Sequence, residues 1–226
     1  MIPTTTLYRR FGKRLLDLVL SLTALGLLAP ILVLLAILVR LNLGSPVLFR
    51  QKRSGRHGKP FTILKFRTMT EERDSSGKRL ADSKRLTRFG KFLRRTSLDE
   101  LPELLNVLRG EMSLVGPRPL VPRYDSYFSE RERKRFDVLP GITGWAQING
   151  RNNLVWDGRL SCDVWYAESC SLLLDLKILC LTVIKVLRGE DVQVDPGLTF
   201  PSLDEERRQR AAGAATAESR VPGRSC

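Results

Sequence analysis

Asp99 and Glu100 stand side by side in RRTSLDELPELLNVLRGEMSLVGPRP, residues 94–119. A carboxylate in such a pair can attack an electrophile, and two together can hold a divalent cation. Ser97 followed three residues later by Glu100 reads as a capping box. It places both acids in the first turn of a helix striped by Leu101, Leu104, Leu105 and Leu108 and closed at Arg109-Gly110. The field at a helix N-terminus favours an ionised Asp99 and a metal-bound phosphate beside it. Acids at these positions are also ordinary helix caps, and spacing alone leaves both readings open. Downstream, Gly116-Pro117-Arg118-Pro119 is a stiff loop suited to aiming the Arg118 guanidinium at an anion.

The elements that must position these groups sit in a basic chain of 226 residues with net charge +14, so anionic partners are expected. The single histidine, His57, argues against a His-based zinc site or a Ser-His-Asp triad. The cysteines at 162, 170, 180 and 226 have no metal-finger spacing and read as reduced thiols, with Cys162 and Cys180 packing as small hydrophobes. A membrane-anchored nucleic-acid-binding protein is the rival that the charge suggests. The basic stretches lack interleaved aromatics and no helix-turn-helix or zinc spacing is present, so nucleic acid is not an expected partner.

From Leu18 to Val39 no residue is charged. As a helix this run is about 33 Å long, enough for a hydrocarbon core of about 30 Å. Both flanks are basic, with Arg9, Arg10, Lys13 and Arg14 before it and Arg40, Arg50, Lys52 and Arg53 after it. The positive-inside tendency therefore puts both ends on one side. Pro30 lies near the middle, where it kinks a helix. A re-entrant hairpin broken at Ala29-Pro30 satisfies both observations, with Asp17 paired to a cation or held at headgroup depth.

The expected fold is α+β, mainly α, and membrane-associated. Residues 1–14 form a basic interfacial N-terminus, 15–40 the re-entrant helix, 41–200 a cytoplasmic catalytic domain and 201–226 a disordered tail. Residues 46–51 and 61–66 read as a short β-hairpin, Thr70 to Ser83 as a mobile surface loop, and Leu86 onward as an amphipathic helix ending before Ser97. Tyr124 to Val138 reads as a solvated charged helix. The loop Pro140 to Arg151 offers Trp145 for stacking, Gln147 for polar contacts and Arg151 for phosphate, although a lone tryptophan is more often core. Ser161 to Leu187 reads as one helix, too charged to span, that lies in the interface or packs on the first segment.

Taken together, GSPVLFRQKRSGRHGKPFTILKFRTM, TSLDELPELLNVLRGEMSLVGPRP and RFDVLPGITGWAQINGRN resemble the signature blocks of the bacterial sugar transferases, the monotopic phosphoglycosyl transferases. The resemblance runs from about Arg9 to Arg188. It implies transfer of a sugar-1-phosphate from a UDP-sugar to polyprenyl phosphate, such as undecaprenyl phosphate, with loss of UMP, at the cytoplasmic face of a bacterial inner membrane. It implies Mg²⁺ at Asp99 and Glu100, and Asp99 as nucleophile forming a phosphosugar-aspartyl intermediate. Direct displacement with Asp99 only a metal ligand stays open. Attack on a diphosphate needs cations on its oxygens, and Arg94, Arg118, Arg151 and Lys65 are the candidates. Many members have Ser-Pro at the helix break, where this chain has Ala29-Pro30. No residue reads as a sugar-selective contact, and none specifies an oligomer.

Overall fold

A run of apolar, helix-favouring residues becomes one long helix. In the computed structural model, which describes residues 7–150, 155–189 and 202–218, a π-helical turn Tyr8–Gly12 leads into α1, Lys13–Leu43. Helical residues continue through Pro30, so the expected break at Ala29-Pro30 does not end the helix. A proline removes only one backbone donor, and the apolar runs on both sides favour helix. Leu22, Leu27, Val33 and Leu34 stay exposed, so the described residues give this stretch little apolar cover.

The two ends of α1 are a different matter. Lys13, Asp17 and Ser21 recur every four residues and form one buried polar face. Lys13 Nζ donates to Asp175 Oδ2 at 2.6 Å, Val115 O at 2.8 Å and Tyr166 OH at 3.0 Å. Tyr8 and Tyr166 hydroxyls also donate to the Asp175 carboxylate, at 2.6 and 2.7 Å. Asp17, rather than pairing with a cation or sitting among headgroups, accepts from Ser113 Oγ at 3.0 Å and the Leu114 N–H at 2.9 Å. At the other end Leu35, Val39 and Leu43 share a core with Phe66 and Leu93.

The expected hairpin forms from β1, Leu48–Ser54, and β2, Pro60–Phe66, antiparallel with Leu48 opposite Phe66 and Ser54 opposite Pro60. Residues 70–83 are a turn held by bridges between Met69 and Leu86 and between Arg73 and Arg79. After α2, Asp82–Arg85, the Thr87 hydroxyl caps α3, Arg88–Arg95, by accepting from the Gly90 N–H at 3.0 Å. Next come α4, Glu103–Arg109, and β3, Ser113–Val115, which pairs in parallel with β4, Gly141–Thr143.

Between those strands the structure departs from the solvated helix expected over 124–138. It has 3₁₀ turns at Pro122–Tyr127 and Lys134–Asp137 around a single α-turn, α5, Glu130–Arg133. Tyr124, Phe128 and Arg135 are buried there, with Arg135 2.9 Å from Asp163 and lying over the Phe128 and Phe136 rings. The repeated charges concealed one buried cation. The helix expected over 161–187 is two, α7, Trp156–Ser169, and α8, Leu172–Arg188, after the short α6, Trp145–Ile148. Cys170 is buried between them, Cys162 is half-buried, and Cys180 is exposed rather than packed.

The tail is also more ordered than its composition suggests. Leu203–Glu218 forms α9, and Leu203 is fully buried among Tyr124, Phe128 and Leu160. Arg207 pairs with Glu132 at 2.6 Å and with Asp157 at 2.9 Å. One anchored leucine and complementary charges suffice where no apolar stripe exists. Residues 219–226 lie outside the described residues.

Asp175 accepts from Tyr8, Lys13 and Tyr166 at once. Asp175→Ala leaves a buried cation unpaired, and should lower the free energy of unfolding in detergent by about 3–5 kcal/mol. A loss under about 1 kcal/mol would show that the network does not hold α1 to the domain.

Candidate active site

The segment carrying the paired acids is bent before it is helical. Thr96 ends α3, and Ser97 then turns sharply in the left-handed region, at φ 55° and ψ 17°. For a residue with a Cβ this conformation costs on the order of 1–2 kcal/mol. Leu98–Glu100 follow as one 3₁₀ turn and α4 starts only at Glu103. The capping box expected at Ser97 and Glu100 is therefore absent, and the box forms instead at Ser129 and Glu132. Glu100 reaches away from Ser97 to Lys65 Nζ at 2.6 Å and Arg118 Nη2 at 3.0 Å. Two charge-assisted bonds outweigh one neutral cap of about 1 kcal/mol.

Each cation is delivered by a separate element. Lys65 projects from β2 and lies 3.0 Å from Glu103 Oε1 as well as 2.6 Å from Glu100. Arg94, in the last turn of α3, donates from Nε to Thr68 Oγ1 at 3.0 Å. Arg118 rides a loop fixed on both sides. Arg53 and Arg135 donate to the Pro119 and Arg118 carbonyls, and the Ser54 N–H to the Leu120 carbonyl. Here glycine is required, because a Cβ on Gly141 would lie 2.0 Å from the Gly116 nitrogen. Behind α4, Arg14 of α1 donates to the Val107 and Leu108 carbonyls at 2.6 and 2.8 Å, a cation on a helix C-terminus.

These groups open onto a cavity of about 1210 Å³. Asp99, Glu100, Lys65, Arg94 and Arg118 line it, together with Thr68, Arg53 and Arg67. Pro46, Val47, Leu48 and Phe49, just past the end of α1, line it too, with Phe49 opposite Lys65 across the hairpin. The volume suits a nucleotide-sized ligand with room for a second group.

Burial and the neighbouring Glu100 push the Asp99 carboxyl up to about 6, against the pull of Lys65, Arg94 and Arg118. Burial likewise raises Glu103 to about 7, opposed by Lys65 and reinforced by Glu100. Among the described residues no three acidic, histidine or cysteine side chains close into a metal cage. Asp99 and Glu100 fit the other common arrangement, in which one or two carboxylates hold Mg²⁺ and phosphate oxygens with water complete its shell.

Five of the expected site residues thus come together: Asp99, Glu100, Lys65, Arg94 and Arg118. Trp145 and Gln147 do not line this cavity. Trp145 stacks against Trp165 with ring centres 4.6 Å apart and packs on the core of Tyr8, Val115 and Tyr166. Gln147 is buried on α6. Arg151 lies outside the described residues. The sequence reading missed Glu103 and Arg53. Glu103 follows Glu100 at one-turn spacing, and Arg53 shares a strand face with Gln51, so periodicity would have found both.

Comparison with known proteins now adds to the geometry. Residues 8–189 match the family described as bacterial sugar transferase. The chain belongs to that family. A relative from Bacillus subtilis (strain 168) named "Uncharacterized sugar transferase EpsL" is 55% identical over 181 residues, covering 80% of this chain and 90% of the relative. The UDP-glucose:undecaprenyl-phosphate glucose-1-phosphate transferase of Caulobacter vibrioides is 43% identical over 189 residues, covering 79% and 71%. Galactosyl transferase CpsE of Streptococcus agalactiae is 40% identical, covering 79% of this chain and 42% of its own length. The match takes in every cavity-lining residue named above, and α9 of this sugar transferase lies beyond it.

Because Asp99 has a raised pKa in the folded chain, the folded state binds more protons than the unfolded one between about pH 4 and 6, and stability contributed at this site falls as pH rises through that window. Asp99→Asn should therefore be more stable than wild type at pH 8, by up to about 3 kcal/mol, with the difference vanishing near pH 3.5. Denaturant melts at the two pH values measure this. A variant less stable than wild type at pH 8 would make Asp99 a structural group.

Proposed function

We propose that this sugar transferase moves a sugar-1-phosphate from a UDP-sugar to undecaprenyl phosphate, releasing UMP, at the cytoplasmic face of a bacterial inner membrane. The observation that carries the proposal is Asp99, a buried carboxylate facing a large cavity among Lys65, Arg94 and Arg118. The relatives named as undecaprenyl-phosphate sugar-phosphate transferases support the substrate classes. Those relatives are named for glucose and galactose, and the sugar here is left to experiment.

In this reading an Asp99 carboxylate oxygen attacks the sugar-bearing phosphorus of the donor. A new P–O bond forms as the bond to UMP breaks, and UMP leaves with the electron pair. An oxygen of the lipid phosphate then attacks the same phosphorus, and Asp99 departs as carboxylate. Splitting one displacement into two is the general gain of a covalent nucleophile. Arg118 and Arg94 flank Asp99 and stabilise charge on the phosphoryl oxygens. Lys65, shared between Glu100 and Glu103, holds the acids in place and keeps Asp99 ionised. Phosphoglycosyl transferases generally need a divalent metal, and Mg²⁺ held by Asp99 and Glu100 would screen the donor diphosphate.

The membrane placement follows from α1. Arg14 rests on the end of α4 and Leu35 to Leu43 pack with Phe66 and Leu93 of the same domain. In a straight helix residues 14 and 39 are about 38 Å apart. Both basic flanks favour the cytoplasmic side. We read α1 as a re-entrant helix bent about Pro30 within the cytoplasmic leaflet. Arg10→Cys and Ser45→Cys variants in a cysteine-free background should then react with an impermeant thiol reagent from the same face of sealed vesicles. Reaction from opposite faces would make α1 a crossing helix.

The transfer itself is tested by UMP release from a panel of UDP-sugars with detergent-solubilised protein, undecaprenyl phosphate and Mg²⁺. Wild type should release UMP with one or two sugars. Asp99→Asn should lose at least about a thousandfold in rate, and chelation should stop release. Release that survives in Asp99→Asn would remove the aspartate from the chemistry.

A further inference from the structure

Arg53 is a further guanidinium lining the cavity beside Arg94 and Arg118, and the reaction as described gives it no task. It lines the cavity with Arg118 and Asp99. Its Nη1 donates to the Pro119 carbonyl at 3.3 Å, and its Nη2 to Gln51 Oε1 at 2.6 Å. Its Nε is buried and has no hydrogen-bond partner among the described residues. A buried charged donor without an acceptor is costly and uncommon. The neighbouring charge makes it costlier still. Burial and the adjacent Arg118 hold the Arg53 guanidinium down to about 10. Two cations near enough to disfavour each other, one of them with a free donor, are satisfied by an anion bearing several oxygens.

The arrangement also indicates which anion. Arg118 is tied to Glu100, next to the nucleophile, and so stands by the phosphorus that Asp99 attacks. Arg53 bonds one residue further along the same loop, to Pro119, from the hairpin-turn end of the strand β1 that walls the cavity. We propose that Arg53 binds the phosphate of the departing nucleotide, so that Arg118 and Arg53 together span the donor diphosphate and Arg53 neutralises the charge that builds on UMP as it leaves. This assignment rests on the proposed transfer reaction for the identity of the nucleotide. It concerns a residue of the basic hairpin whose neighbours Lys52 and Arg56 are exposed.

Calorimetric titration of the detergent-solubilised full chain with UMP and with uridine tests it, beside steady-state kinetics in donor and acceptor. Arg53→Gln should weaken UMP binding about ten- to a hundredfold, the range for a charge-assisted bond to phosphate. Uridine affinity and the KM for undecaprenyl phosphate should stay unchanged. Arg53→Lys, which keeps the charge but not the fork, should fall between the two. Lys52→Gln, on the outward face of the same strand, should match wild type. Equal weakening of UMP and uridine would overturn the proposal by making Arg53 a prop for the loop. A raised acceptor KM with unchanged UMP affinity would overturn it by assigning the guanidinium to the lipid phosphate. UMP binding is read without turnover, so a wild type that binds UMP through Arg53 yet releases none from any UDP-sugar would sink the transfer reaction and leave this assignment standing.

Discussion

Three carboxylates, Asp99, Glu100 and Glu103, lie within five residues, the first two at the wall of the cavity, and Asp99 and Glu103 are buried. That concentration of negative charge is the constraint on which the rest of the site depends. It is tolerable only because Lys65 sits 2.6 and 3.0 Å from two of the acids and Arg118 3.0 Å from one of them. The compensation is incomplete, since Asp99 and Glu103 stay above the ordinary carboxylate range. An acid close to balance at neutral pH is ionised and weakly solvated, the condition a phosphorus-attacking oxygen needs. The cations come from β2, α3 and the loop after β3, so the site exists only when all three are packed together.

That packing converges on α1. Its first turns reach both elements that flank the acids: Arg14 holds the end of α4, and Asp17 holds the start of β3 through Ser113 and Leu114. Lys13 adds Val115 O at the strand's end and Asp175 on α8. Its last turns pack on Phe66 and Leu93, next to Lys65 and Arg94 in sequence. Most of the apolar middle of the helix is exposed among the described residues. A helix packed at both ends on the elements that carry Glu103, Lys65 and Arg94 ties the position of this apolar middle to that of the cavity.

Much of this was legible in the sequence, and the failures share a cause. Alternating and helical apolar periods gave the hairpin and α3, because burial of one face writes a repeating pattern, and an uncharged apolar run gave α1 but not its continuity through Pro30. The Gly-Pro-Arg-Pro loop gave Arg118, because stiff backbone chemistry is local. Glu100 was misread as a cap, because the competing partners Lys65 and Arg118 are distant in sequence. The same holds for Arg135 with Asp163, Asp17 with Ser113, and α9, whose anchor is the single Leu203 against Tyr124 and Leu160. Trp145 took the core role that a lone tryptophan more often has, stacked on Trp165. Long-range pairing of polar groups has no period, so a local window assigns such residues to solvent or to ligand.

The central claim is that Asp99 carries the transferred group between the two half-reactions. Isotope exchange tests it most directly. With acceptor lipid withheld, wild-type protein, Mg²⁺, an accepted UDP-sugar and labelled UMP should yield labelled UDP-sugar, because a phosphosugar on Asp99 is reversed by UMP. Preparations that turn over fully once undecaprenyl phosphate is added, yet show no exchange without it, would contradict the covalent account and leave Asp99 to hold metal in a single direct displacement.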